Sequence, residues 1–142
     1  MFRVLVCLSL MLSAQLSFAD AEADIKYRKA VMKVVGGHMA GMGTILRNGV
    51  HPDDLAYHAR GIANVAALVP NVFPVGSGEG KTEALPAIWE DDAAFKVAMD
   101  KFVIAANDTG TAADTGDNGA IAGTLKALGG SCKGCHDDFK AD

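Results

Sequence analysis

Nowhere in its 142 residues does the sequence hold an apolar run long enough for an ordinary membrane-spanning helix, which needs about 20 residues. Basic residues do not dominate either. Thirteen Lys and Arg stand against seventeen Asp and Glu, for a formal net charge of −4. With no basic stripe, nucleic acid is excluded as a partner. Convincing strand alternation, internal repeats and low-complexity tracts are missing, which argues against a β or solenoid fold. What remains, at 50% hydrophobic and 21% charged residues, is the composition of a soluble globular domain.

Cysteine is scarce, and its placement is informative. Of three cysteines, Cys7 lies in the opening segment MFRVLVCLSLMLSAQLSFAD. There Arg3 precedes an apolar run from Val4 to about Leu12, and Ser17-Phe18-Ala19 forms a small-x-small cleavage site. The segment reads as a signal peptide over residues 1–19, discarded with Cys7, leaving one domain over 20–142 in an export compartment such as the periplasm. Cleavage leaves nothing to hold the chain in a membrane. Cys132 and Cys135 then remain, separated by two residues. A stabilising disulfide usually closes a longer loop, so the pair points to chemistry instead.

Four segments carry helical periodicity. The first, about Ala23 to Leu46, places Ile25, Met32, Val35, Met39 and Met42 three or four residues apart (or multiples of that), with Arg28 as the one charge on the stripe. The second begins at HPDD, where Pro52 suits the first helical position, and closes at Pro70. The third is expected from near Pro86 to about Asn107, and the fourth after a Gly- and Asp-rich connection, NDTGTAADTGDNG. On the fourth, Ile121, Leu125, Leu128, Cys132, Cys135 and Phe139 step by fours and threes as an a/d seam. The pattern predicts an all-α antiparallel four-helix bundle. Pro70 to Pro86 is too long for a simple turn and is expected to pack through Phe73 and Val75, as functional loops do.

Cys132-Lys133-Gly134-Cys135-His136 is C-x-x-C-H, the attachment motif of c-type haem. On a helix, residues three and four apart share a face. Two thiols can therefore add to vinyl groups at a porphyrin edge while an imidazole nitrogen reaches the iron. Zinc would need four ligands, and no second Cys/His pair stands at suitable spacing. A thioredoxin-like pair would sit beside a βαβ pattern, which is missing. No sixth iron ligand follows His136, so candidates for the other face lie upstream, on the first helix.

With YRKAVMKVVGGHM on the first helix, GKTEALPAIW before the third and GGSCKGCHDDFK on the last, the mature chain resembles cytochrome c′, of the class II c-type cytochromes. The resemblance implies one haem c per chain, held through Cys132 and Cys135, with His136 as the proximal iron ligand. It implies that Arg28 lies near the haem propionates and that Lys29, Thr82 and Glu83 touch the haem. Met32 would cover the distal iron face, and Lys140 would replace a common arginine with a weaker propionate contact. A homodimer through the first two helices is implied as well.

Taken singly, these residues have plainer readings. Met32 can be core filler, Arg28 a solvated charge with a buried stem, and Thr82 with Glu83 a helix start. The adjacent Gly36 and Gly37 are unfavourable in a helix unless something approaches closely. His38, His51 and His58 read as surface histidines rather than iron ligands.

Two functions fit the resemblance. In one, a five-coordinate high-spin iron binds small diatomic gases, nitric oxide and carbon monoxide, and takes part in electron transfer with a periplasmic redox partner. In the other, Met32 is the sixth ligand of a low-spin electron carrier. A haemless metal-binding or scaffold bundle is the alternative outside the family. No catalytic acid–base set stands out, so the chain does not read as an enzyme.

Overall fold

A computed structural model describes the backbone of residues 2–141 and the side chains of residues 20–141. The expected signal segment, residues 1–19, lies outside the described side chains. The helices are α1 (Phe2–Asn48), α2 (Leu55–Ala66), the single turn α3 (Ala87–Glu90), α4 (Asp92–Asp114) and α5 (Asn118–Phe139). No helix among the described residues is long and apolar enough to cross a membrane. The four long helices form the expected bundle: α1 packs on α2, α2 on α4, and α4 on α5. The α1–α5 side is left open.

Local chemistry ends and starts each helix. At the end of α1, Gly49 turns left-handed (φ 65°) and its N–H donates to Ile45 O at 2.8 Å, an αL stop that glycine adopts without strain. Pro52 opens a 3₁₀ turn, Pro52–Asp54, that leads into α2. The third helix departs from the single span expected. Its backbone breaks at Asp91, whose side chain accepts from Ala94 N at 3.0 Å and so caps a new helix, α4.

The far end of α4 is a second departure. Much of the expected connection after Asn107 is helical, and only Thr115–Asp117 link α4 to α5. Composition argued for a loop; packing decides otherwise. Thr109, Gly110, Ala112 and Ala113 are all buried. Thr109 returns its hydroxyl to Ala105 O at 2.8 Å, and Gly110 lies so close to α2 that an added Cβ would sit 2.6 Å from Ala63 Cβ. Small residues in this turn are what let α2 and α4 approach.

On α5 the seam is as expected. Ile121, Leu128 and Phe139 are buried, and Leu125, Cys132 and Cys135 pack against the core. Phe95 of α4 meets Phe139 at 5.2 Å and Phe73 of the long loop at 4.9 Å, edge to face in both cases. The loop therefore packs, though not as predicted throughout: Val75 is 93% exposed, and the residue buried in its stead is Ser77.

Gly110→Ala tests the close approach. A helical alanine ordinarily gains about 1 kcal/mol over glycine, but overpacking costs about 1–3 kcal/mol. Urea unfolding is expected to show net destabilisation by up to roughly 2 kcal/mol. Gly123→Ala, on α5 where an added Cβ meets nothing, is expected to stabilise.

Candidate functional site

Between α1, α4, α5 and the long loop lies a cavity of about 560 Å³, within the range of about 300–1,000 Å³ usual for cofactor sites. All eight residues singled out in the sequence line it: Arg28, Lys29 and Met32 from α1, Thr82 and Glu83 from the loop, and Cys132, Cys135 and His136 from α5. Residues separated by more than a hundred positions thus face one volume.

On α5, the i, i+3, i+4 spacing puts both thiols and the imidazole on the cavity side. Cys132 and Cys135 are unpaired and half-buried, whereas His136 is exposed. Burial pushes the Cys132 thiol up, with a hydrogen bond from Ser131 partly opposing it. Cys135 is pushed up to about 11 by burial, by Cys132 and by Asp138. Both are therefore neutral thiols near pH 7. That disfavours a redox pair, which works through a lowered pKa, and suits sulfurs that end in apolar thioether bonds.

Arg28 is 4% exposed, and its guanidinium turns toward the loop. Nη1 donates to Ser77 Oγ at 2.7 Å and to Val72 O at 3.3 Å; Nη2 donates to Ser77 O at 2.8 Å and Thr82 Oγ1 at 2.9 Å. The rings of Phe73 and Trp89 lie 5.1 and 6.0 Å from its Cζ, where cation–π attraction acts. Burial lowers its pKa and Asp24 opposes this; a guanidinium stays charged throughout. Trp89 Nε1 holds the same loop by donating to Phe73 O at 3.1 Å.

The loop's far end is tied to the C-terminus. Leu85 N donates to Phe139 O at 3.0 Å and Ala141 N to Glu83 O at 2.8 Å. Lys140 pairs with Glu83 at 3.0 Å, and this hydrogen bond and charge, with Lys29 adding, hold the Glu83 carboxyl below its ordinary range. Lys29 donates to Lys81 O.

Sequence reasoning did not single out Ser77, because a serine among loop glycines has no periodicity to mark it. Met39 was placed on a helix stripe but not at the cavity, which Met99 and Phe102 of α4 line as well.

The cavity suits a flat apolar group carrying polar edges. Its apolar lining includes Met32, Val35, Met39, Met99 and Phe102, while Arg28, Lys29 and Thr82 supply polar groups. Gly36 and Gly129 also line it, and a Cβ on either would meet no protein atom within 4 Å. No protein group among the described residues approaches Gly36 or Gly37, so protein packing does not explain the adjacent pair.

The Arg28 network predicts a cost for its removal. Arg28→Ala leaves the buried Val72 and Ser77 carbonyls without a partner and releases Thr82, whose Oγ1 also accepts from Ala84 N; it is expected to destabilise by about 2–4 kcal/mol in urea unfolding, with faster amide exchange at Ala84. Arg28→Lys, lacking the fork, is expected to recover only part of this.

Comparisons with known proteins agree with this geometry. A family model described as Cytochrome C' matches residues 23–140. A cytochrome c' from Rhodospirillum rubrum is 45% identical over 126 residues, covering 87% of this chain and 86% of the relative. The solved structure of cytochrome c prime from Shewanella frigidimarina superposes with TM-score 0.80 at 31% identity, over 86% of this chain and 97% of that one. A nitric oxide complex of a variant cytochrome c prime from Alcaligenes xylosoxidans gives TM-score 0.78 at 26% identity, with 86% and 97% covered. The chain belongs to the cytochrome c′ family, and its cofactor is covalently attached haem c.

Proposed function

We propose that Cys132 and Cys135 hold the haem through two thioethers, that His136 supplies the proximal iron ligand, and that Met32 covers the distal side without bonding. The observation that carries this reading is the convergence of the C-x-x-C-H face and Met32 on one cavity. Bound there, the haem supplies an iron that takes a small diatomic gas or an electron. The chain's own residues decide which gases are favoured. Besides Met32 the cavity presents the apolar side chains of Val35, Met39, Met99 and Phe102, none of which carries a donor for a polar dioxygen adduct. Nitric oxide and carbon monoxide need no such donor. The nitric oxide complex of a variant Alcaligenes xylosoxidans relative supports nitric oxide as a ligand.

Arg28 and Lys29 place positive charge, and Thr82 a hydroxyl, at the polar end of the cavity, where haem propionates would sit. With both terminal nitrogens of Arg28 engaged by the loop, its share in this is to add charge and to hold Thr82 in place. Lys140 is engaged by Glu83, which makes it chiefly a clamp on the loop.

The reading extends to a protein exported to the periplasm after loss of residues 1–19, with an electron-transfer partner there. Tyr27 and Val34 on α1 and Tyr57 on α2 leave large apolar side chains exposed, which supports a homodimer through these two helices.

Two substitutions test the site. His136→Ala is expected to retain covalent haem on a denaturing gel but to change the ferric optical spectrum, because the axial ligand is lost. An unchanged spectrum would contradict the assignment. Met32→Ala is expected to speed carbon monoxide binding by about tenfold, about 1.4 kcal/mol off the barrier. Unaltered or slower binding removes Met32 as the lid. A methionine-to-iron charge-transfer band in the wild-type ferric protein, lost in Met32→Ala, would establish Met32 as a ligand instead.

A further inference from the structure

Away from the cavity, α1 and α2 carry two imidazoles that the haem site does not use. His38 Nδ1 and His58 Nδ1 lie 3.2 Å apart, with ring centroids 5.4 Å apart at 69°. Both rings are half-buried, so neither is the surface histidine that the sequence alone indicated. Each lies over a glycine of the opposite helix. A Cβ on Gly61 would come within 2.2 Å of the His38 ring, and one on Gly41 within 2.7 Å of the His58 ring. Glycine inside a helix costs about 1 kcal/mol relative to alanine. Two glycines set reciprocally beneath two rings make a seat that neither helix provides alone. Tyr57 closes one side, edge-on to His58 at 5.6 Å.

We propose that His38 and His58 form a two-histidine site for a divalent transition-metal ion, bound through the two Nδ1 atoms. Metal–nitrogen bonds of about 2.0–2.1 Å separate two ligand nitrogens by roughly 3.3 Å in tetrahedral geometry, and by roughly 2.9 Å at adjacent positions of a tetragonal ion. The observed gap of 3.2 Å lies between these values, and binding turns the two rings so that both lone pairs meet the ion. Without metal, one Nδ1–H donates to the other Nδ1. On binding, that ring moves its proton to Nε2, so both rings stay neutral and both Nδ1 lone pairs face the ion.

Among the described residues no third His, Cys, Asp or Glu joins the pair. The remaining coordination positions fall to water or to an outside ligand, which makes the ion exchangeable rather than structural. An open cleft of about 590 Å³ beside His38, bordered by Asp53 and Asn64, gives solvent access. Imidazole sites favour Cu²⁺ among the first-row divalent ions, so Cu²⁺ is the probe.

The test is calorimetric titration of the haem-loaded full protein with Cu²⁺. One ion per chain is expected, or one-half where a second copy shares it. His38→Gln and His58→Gln are each expected to weaken binding by at least about tenfold, since loss of even an outer-shell partner costs 10–100-fold. His51→Gln is expected to leave it unchanged. No binding, or binding that survives either of the first two substitutions, overturns the proposal. Electron spin-echo modulation of Cu²⁺ on the wild-type protein counts coordinated imidazoles without relying on any variant. Two or more support the site; one or none overturns it.

Discussion

A single buried guanidinium organises the haem side of this molecule. Arg28 is anchored in α1, yet its terminal nitrogens hold Val72, Ser77 and Thr82, residues spread along the longest non-helical stretch of the described chain. A loop of that length lacks the periodic apolar contacts that hold helices and depends on cross-ties of this kind. Burying a charge is costly unless its donors are satisfied, and here the loop backbone and two hydroxyls satisfy them. The dependence is mutual: the loop gives Arg28 its partners, and Arg28 gives the loop its shape. Thr82 and Glu83 reach the cavity as a result.

The opposite wall rests on a simpler constraint. Helical spacing alone puts Cys132, Cys135 and His136 on one face, and the seam they share with Ile121, Leu128 and Phe139 turns that face inward. Burial then keeps both thiols neutral. Phe139 joins the two walls. Its ring packs on Phe95, and its carbonyl takes the Leu85 N–H where the loop returns toward α3. Cofactor attachment, core packing and loop closure thus meet within the last two turns or so of α5.

Small residues do comparable work elsewhere. Gly110 lets α4 close on Ala63 of α2, and Gly41 and Gly61 let two imidazoles sink between α1 and α2. In each case a residue poor in helix propensity is offset by an approach that a Cβ would block. Those glycines are invisible to hydrophobic periodicity, and for that reason the helical end of α4 and the histidine pair were not legible in advance.

The sequence by itself determined the all-α bundle, the seam of α5, the attachment motif and the apolar stripe of α1. These follow from spacings of three and four residues, which act within one helix and need no knowledge of neighbours. Thr82 and Glu83 were legible only through family resemblance, since no local periodicity marks them. Tertiary structure alone decided that Asp91 splits the third helix, that residues 108–114 stay helical and that Ser77 rather than Val75 is buried. It also decided that His38 faces His58. Each of these depends on which atoms of a distant segment come within a few ångströms, and that distance is set by the packing of whole helices.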